Sequence, residues 1–135
     1  TAKPGIIVGR GGENIGKLQT TLKGKFKHNF EINVQEIRKP DADAALIAQN
    51  VADQVSRRFP YRRVSKMAIE KAKEANVKGI KILVSGRLNG VDMAGSDFLS
   101  LGSIPFQTLD AKIDYGFSVA NTPKGLQSIK VWFYK

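Results

Sequence analysis

The chain has 135 residues, of which 41% are apolar, enough for one or two small domains with a buried core and too many for wholesale disorder. Its 22 Lys and Arg against 12 Asp and Glu give a formal charge of +10, which favours a polyanionic partner, nucleic acid before an acidic membrane surface. With no Cys and His28 as the one imidazole, disulfides, Cys-ligated zinc and Cys catalysis are excluded, and a Ser-His-Asp triad or multi-histidine site would have to be built on that residue. No metal and no cofactor are expected. The apolar runs are far shorter than the ~20 residues that span a bilayer, and no secretory signal precedes Lys3-Pro4-Gly5, so no membrane partner is expected. A start at Thr1 rather than Met is expected of a piece of a longer polypeptide.

In chain order, Ile6-Ile7-Val8 reads as the end of a short apolar strand, and Gly9-Arg10-Gly11-Gly12 as a glycine-rich turn. From Glu13, Ile15, Leu18, Leu22 and Phe26 recur at helical spacing and form one apolar stripe, with Lys17 and Lys23 off it. Phe30, Ile32 and Val34 alternate with Glu31, Asn33 and Gln35 as in a half-buried strand. Pro40-Asp41 starts a second helix, with Asp41 as N-cap and Ala44, Ile47, Ala48, Val51 and Val55 as its core face; Phe59-Pro60 closes it. A third helix is predicted from about Tyr61 to Ala75, terminated around Asn76 and Gly79.

Beyond Val77-Lys78 the composition changes from helix formers to strand formers. Ile80, Ile82 and Val84, then Ala111, Ile113 and Tyr115, then Ile129, Val131 and Phe133 each alternate with other residues as strands do. Residues 121–125 carry the turn signals of a hairpin, and residues 86–102, rich in Gly, Asn, Asp and Ser, carry no clear helix or strand period. Residues 1–78 hold a surplus of eight positive charges and residues 79–135 a surplus of two. We therefore expect a basic first domain over 1–78 and a nearly neutral second one over 79–135. Helices followed by strands predict an α+β fold with an antiparallel sheet.

Two features carry the functional reading. A G-x-x-G turn at Gly9, Arg10, Gly11 and Gly12 lets a sugar-phosphate backbone approach, and the helix that follows offers free N–H groups, as in a KH module. The same stretch nearly makes a nucleotide-binding loop through Gly11, Gly16 and Lys17. Leu18 stands where the magnesium-binding hydroxyl is needed, so hydrolysis is not expected. The second feature runs from Arg57 to Lys66, where half of the residues are cations. At ~100° per residue, Arg62, Lys66 and Lys73 project from one side with Arg63 on its flank, opposite Val64, Ala68, Ala72 and Ala75. Cations one turn apart on a fixed helix suit the successive phosphates of a single strand. Lys66 and Glu70 have the spacing of an internal ion pair. The closing Val131-Trp132-Phe133-Tyr134 is read as core, with at most one or two rings on a base-stacking face. Asp110 and Asp114 carry no support for catalysis.

These segments resemble one family. Lys3 to Gly12, Ile37-Arg38-Lys39-Pro40 and Tyr61-Arg62-Arg63 with Lys66 are similar to the KH type II domain of the small-subunit ribosomal protein three family. Lys78 to Lys81, Ser85-Gly86-Arg87-Leu88-Asn89-Gly90, Ile104-Pro105, Lys112-Ile113-Asp114-Tyr115 and Lys130-Val131-Trp132 continue the match in order and spacing. The resemblance implies a KH type II-like domain followed by a small α+β domain. The family's KH domain ordinarily has a further strand and helix before the point where this chain starts.

The resemblance also implies a non-enzymatic constituent of the small-subunit head. Its partners would be rRNA, mRNA and neighbouring ribosomal proteins, with no small-molecule substrate, in bacterial cytoplasm or an organelle matrix. Arg62, Arg63 and Lys66 would line the mRNA entrance and assist unwinding; Lys17, Arg57, Arg58 and Arg87 are further RNA-contact candidates. The chain departs from the family pattern at 95–103, read as a loop without cations, in which Leu99 and Leu101 are expected to pack on a protein neighbour. The alternatives are a freestanding KH-type RNA-binding protein and a lyase acting through a Schiff-base lysine, and no Lys here is distinguished for that role.

Overall fold

The computed structural model describes residues 1–135, which pack as two units, Thr1–Arg38 and Lys39–Lys135.

In the first unit, helix α1 spans Pro4–Val8, a one-residue break at Gly9 and a 3-10 turn follow, and α2 spans Glu13–Phe26. The strand expected at Ile6-Ile7-Val8 is therefore a helical turn. Pro4 at its first position pre-sets the helical φ, and the Gly9 N–H donates to the Gly5 carbonyl at 3.0 Å. The strand expected over residues 30–35 does not form either. Burial alternates as anticipated, with Phe30, Ile32 and Val34 half-buried between exposed neighbours, but no second strand pairs with it. Its ladder-like bonds are two, both to Thr1: the Thr1 amino group donates to the Gln35 carbonyl, and the Ile37 N–H donates to the Thr1 carbonyl. No side chain of this unit is fully buried, and Leu18 and Phe26 of the apolar stripe are exposed. Phe26 meets Phe30 edge-on at 5.8 Å.

The second unit holds α3 (Ala44–Ser56), α4 (Tyr61–Glu74) and four strands, β1 (Gly79–Gly86), β2 (Gly95–Gly102), β3 (Ile113–Thr122) and β4 (Gly125–Tyr134). The strands form one antiparallel sheet in the order β2-β1-β4-β3. Ile80, Ile82 and Val84 of β1 sit beside Phe133, Val131 and Ile129 of β4, and together they floor the core. The expected α3 face, Ala44 to Val55, and Val64, Ala68 and Ala72 of α4 cover that floor. Closing such a face removes apolar surface from water at about 25 cal/mol per Å², the main force holding the layers together.

The α+β class and the antiparallel sheet stand. The division expected at 78/79 does not coincide with the division in packing, which falls at 38/39. The composition shift marks where helices give way to strands, yet α3 and α4 have no core other than the one they build with the sheet. Two further expectations change. Asp41 lies in a 3-10 turn, and Asp43 is the cap of α3, accepting from the Leu46 N–H at 3.1 Å. Residues 95–103 are mostly strand, β2, not loop. Leu99 and Leu101 stand opposite Ile82 and Ile80 on the helix side of the sheet but at its edge, where Leu99 is half-buried and Leu101 exposed; Phe98 points to the other face.

Candidate nucleic-acid interface

The glycine turn of the first unit takes backbone angles that L side chains rarely adopt. Gly9, Gly11 and Gly12 have φ of +71°, +63° and +82°. At Gly9 there is a second constraint, since a Cβ would lie 2.7 Å from the Asn14 side chain. Gly12 caps α2 without a side-chain acceptor, and the Glu13 N–H, the first of that helix, donates back to the Arg10 carbonyl. Arg10 projects into solvent from the turn. Gly16 and Lys17 lie inside the regular α2, so no phosphate-cradling loop leads into a helix there. The Lys17 ammonium pairs with Glu13 at 2.6 Å, an exposed pair that leaves it only partly available to an anion.

In the second unit the cations of α4 are set by the helix period. Tyr61, Val64, Ser65, Ala68 and Ala72 point to the core, which turns Arg62, Arg63, Lys66 and Lys73 outward. Only Arg62 has a carboxylate partner, Asp97 of β2, with Nε 3.3 Å from Oδ2. The Tyr61 hydroxyl joins them, donating to Asp97 at 3.0 Å and accepting from Arg62 Nε at 3.1 Å. The hydrogen bond to Tyr61 first, and the Asp97 carboxylate after it, raise Arg62 above the ordinary arginine value. The raised group keeps its charge through the neutral range, and its contribution fades only as pH climbs through that raised value. The Arg62 side chain is still 71% exposed, so the pair orients the guanidinium without hiding it. Lys66 and Glu70 make no ion pair, and Arg57, Arg58 and Arg63 have none.

Arg87 is used within the protein. Its three nitrogens donate to the Val91 carbonyl, the Lys124 carbonyl and Asp92, tying the loop after β1 to the β3–β4 hairpin. Asp114 is also structural: its Oδ2 accepts from the Ala44 N–H at 3.1 Å, capping α3, and pairs with Lys135 at 3.2 Å.

The sheet face away from the helices is open, which sequence reasoning underestimated. Phe98, Tyr115, Phe117, Val119 and Leu126 are exposed on it or at its edge. Trp132, expected in the core, lies on this face, packing on Tyr115 at 5.6 Å and Phe106 at 6.1 Å; Phe133 alone of the two enters the core. Lys81 stands over Phe98, Phe106 and Trp132 at 5.1–5.9 Å, a cation among three rings. The period-2 alternation held the signal, since adjacent residues of a strand face opposite ways. No cluster of three or more metal-ligating His, Cys, Asp or Glu occurs, and no helix is long and apolar enough to cross a membrane.

The arrangement is a helix-backed α+β layer with a cation row on one helix. A family model described as "Ribosomal protein S3, C-terminal domain" matches residues 51–133, and one described as "KH domain" matches residues 1–42. The chain belongs to the ribosomal protein S3 family. It is 45% identical over 135 residues to "Small ribosomal subunit protein uS3" of Dictyoglomus turgidum, covering all of this chain and 55% of the relative. The protein of the same name from Phytoplasma australiense is 48% identical over 134 residues, covering 99% and 54% respectively. That of Clostridium botulinum (strain Okra / Type B1) is 46% identical over 136 residues, covering 100% and 61%. The chain thus spans between half and two thirds of the length of these relatives.

Proposed function

We propose that this chain is a structural, non-catalytic component of the small ribosomal subunit that binds rRNA and helps form the mRNA entrance. The observation that carries the reading is the solvent face of α4, where Arg62, Arg63 and Lys66 stand within one turn and a half on a helix fixed by its packed face. Such a row grips successive phosphates of one strand without choosing a sequence. Held against an incoming mRNA, it would bind the single-stranded form and so assist unwinding, the work being supplied by movement of the mRNA. Arg57, at the end of α3, and Arg58, in the loop before α4, are further RNA-contact candidates. The turn at Gly9, Arg10, Gly11 and Gly12 offers a further RNA contact through the exposed Arg10 and a glycine backbone that a sugar-phosphate chain can approach.

The open aromatic face of the sheet is the surface we assign to neighbouring ribosomal proteins of the head, because exposed contiguous rings mark interaction sites. The proposed location is the ribosome. A freestanding KH protein is disfavoured by the relative size of the parts: the KH match covers residues 1–42 and the larger unit lies beyond it. The test is sedimentation of the native protein through sucrose. Co-migration with the small subunit in high-salt washes is expected; recovery wholly in the free fraction would overturn the assignment.

A further inference from the structure

At one end of the sheet three segments meet: residues 58–60 between α3 and α4 with Tyr61 at the start of α4, residues 87–90 after β1, and residues 122–124 of the β3–β4 hairpin. They line an open cavity of about 520 Å³, a size that accepts a nucleotide-sized ligand. Phe59, Pro60 and Pro123 give it flat apolar walls, and Arg58 and Lys124 bring charge, while no acidic residue lines it. Arg58 holds a left-handed backbone, φ +69°, and has no carboxylate partner. Arg87, by contrast, is fixed in the wall by its three internal bonds.

The second observation is Gln127. It is 6% exposed and contributes to the lining. Its Nε2 donates to the Arg87 carbonyl at 3.1 Å, which identifies the other end of the amide as the acceptor. That Oε1 has no donor in the protein, an uncommon state for a buried oxygen. Oε1 is closed off from solvent, so a donor in the cavity reaches it when the soft terminal torsion turns the amide, exchanging the Nε2 bond to the Arg87 carbonyl for a bond to the ligand.

We propose that this cavity takes one nucleotide, with the N–H edge of its base donating to Gln127 Oε1, the ring against Phe59 and the prolines, and the phosphate at Arg58 and Lys124. The source is an unstacked nucleotide of a bound RNA strand, recognised as single-stranded RNA ordinarily is, by splaying out a base. The choice of RNA over free nucleotide rests on the function proposed above; the cavity and its orphaned acceptor do not.

The experiment is an NMR titration of the ¹⁵N-labelled chain with each of the four nucleoside 5′-monophosphates, with ribose 5-phosphate and with a single-stranded RNA tetranucleotide. Saturable shifts of the Gln127 side-chain amide and of Arg58 are expected with the mononucleotides, and binding at least about fivefold weaker with ribose 5-phosphate. Gln127→Leu, which puts an apolar side chain of similar size there and removes both the orphaned acceptor and the Nε2 donor to the Arg87 carbonyl, should weaken mononucleotide binding by a similar factor without loss of fold. Arg58→Gly is the second variant, relieving the backbone strain while deleting the cation, and should also weaken it. Displacement of the mononucleotide by the tetranucleotide assigns the cavity to RNA; its failure to displace assigns the cavity to free nucleotides and leaves the nucleotide chemistry standing. Arg62→Ala with Arg63→Ala and Lys66→Ala should leave mononucleotide binding unchanged, which separates this cavity from the α4 row. Absence of saturable shifts at Gln127 and Arg58, ribose 5-phosphate binding as tightly as the nucleotides, or unaltered binding by Gln127→Leu would each overturn the proposal.

Discussion

Asp97 holds Arg62 from across the chain: its Oδ2 lies 3.3 Å from Arg62 Nε and also accepts the Tyr61 hydroxyl at 3.0 Å. A carboxylate in the middle of a cation row has two opposite effects. It fixes the direction of one guanidinium, and it offsets part of the charge that attracts phosphate. Because the Arg62 side chain remains mostly exposed, water screens the pair and its contribution to stability is small.

Asp97→Asn should therefore leave the thermal midpoint nearly unchanged while strengthening single-stranded RNA binding at low salt. The ceiling is about fivefold, the effect of one unit charge a few ångströms away in water. Fluorescence anisotropy across a salt series measures it; weaker binding by the variant would mean that orienting Arg62 matters more than the charge that Asp97 subtracts.

Gly116 marks the closest approach of α3 to the sheet. A Cβ built there would lie 2.1 Å from the Ala44 carbonyl oxygen and 2.3 Å from its carbon, backbone atoms that cannot move aside cheaply. Gly116→Ala should lower unfolding free energy by about 2–4 kcal/mol, as overpacking and backbone displacement do. Gly95→Ala is the control, since nothing lies within 4 Å of its Cβ position. Urea titrations that give the two variants equal midpoints would contradict the observed packing of α3.

The two aromatic neighbours at the chain's end should behave oppositely. Phe133 is fully buried, and Phe133→Ala should destabilise by about 3–5 kcal/mol. Trp132, on the open face, should cost much less when replaced by Ala, and its loss should instead weaken assembly with neighbouring proteins. Denaturation and reconstitution assays on the same pair of variants separate the effects.

Ser65 offers a stabilising change. Its Oγ is buried with no partner, inside α4. Ser65→Ala removes an unsatisfied hydroxyl and adds helix propensity, so a gain of about 0.5–1 kcal/mol is expected. A destabilised variant would show that the hydroxyl is bonded in solution.

What could be read from the sequence was what depends on local period. The α3 and α4 faces, the β1 and β4 alternation and the hairpin at residues 121–125 all follow from spacing that a short window contains. The errors come from relations that no window holds. Phe30 to Val34 alternates in burial as a strand does, but a strand also needs a partner and finds none. Residues 95–102 look like a polar loop because β2 lies at the sheet edge, where one face is exposed and Ser and Gly are tolerated. The boundary at 78/79 is a different matter: it marks a change of charge and propensity, and packing divides the chain by another criterion, which apolar faces meet. At the site, the cation row was legible from helical period alone. The Asp97–Arg62 pair and the Asp114 cap of α3 were not, being separated by 35 and 70 residues.

The proposed role of the α4 cations is to hold a single strand through its phosphates. Its most direct test is the salt dependence of mRNA binding by assembled subunits carrying Arg62→Ala, Arg63→Ala and Lys66→Ala together. Three lost phosphate contacts at ~0.7 each should reduce the slope of log K against log salt by roughly 2, with the fold intact. A slope equal to that of the unaltered subunit would show that these side chains do not touch the strand.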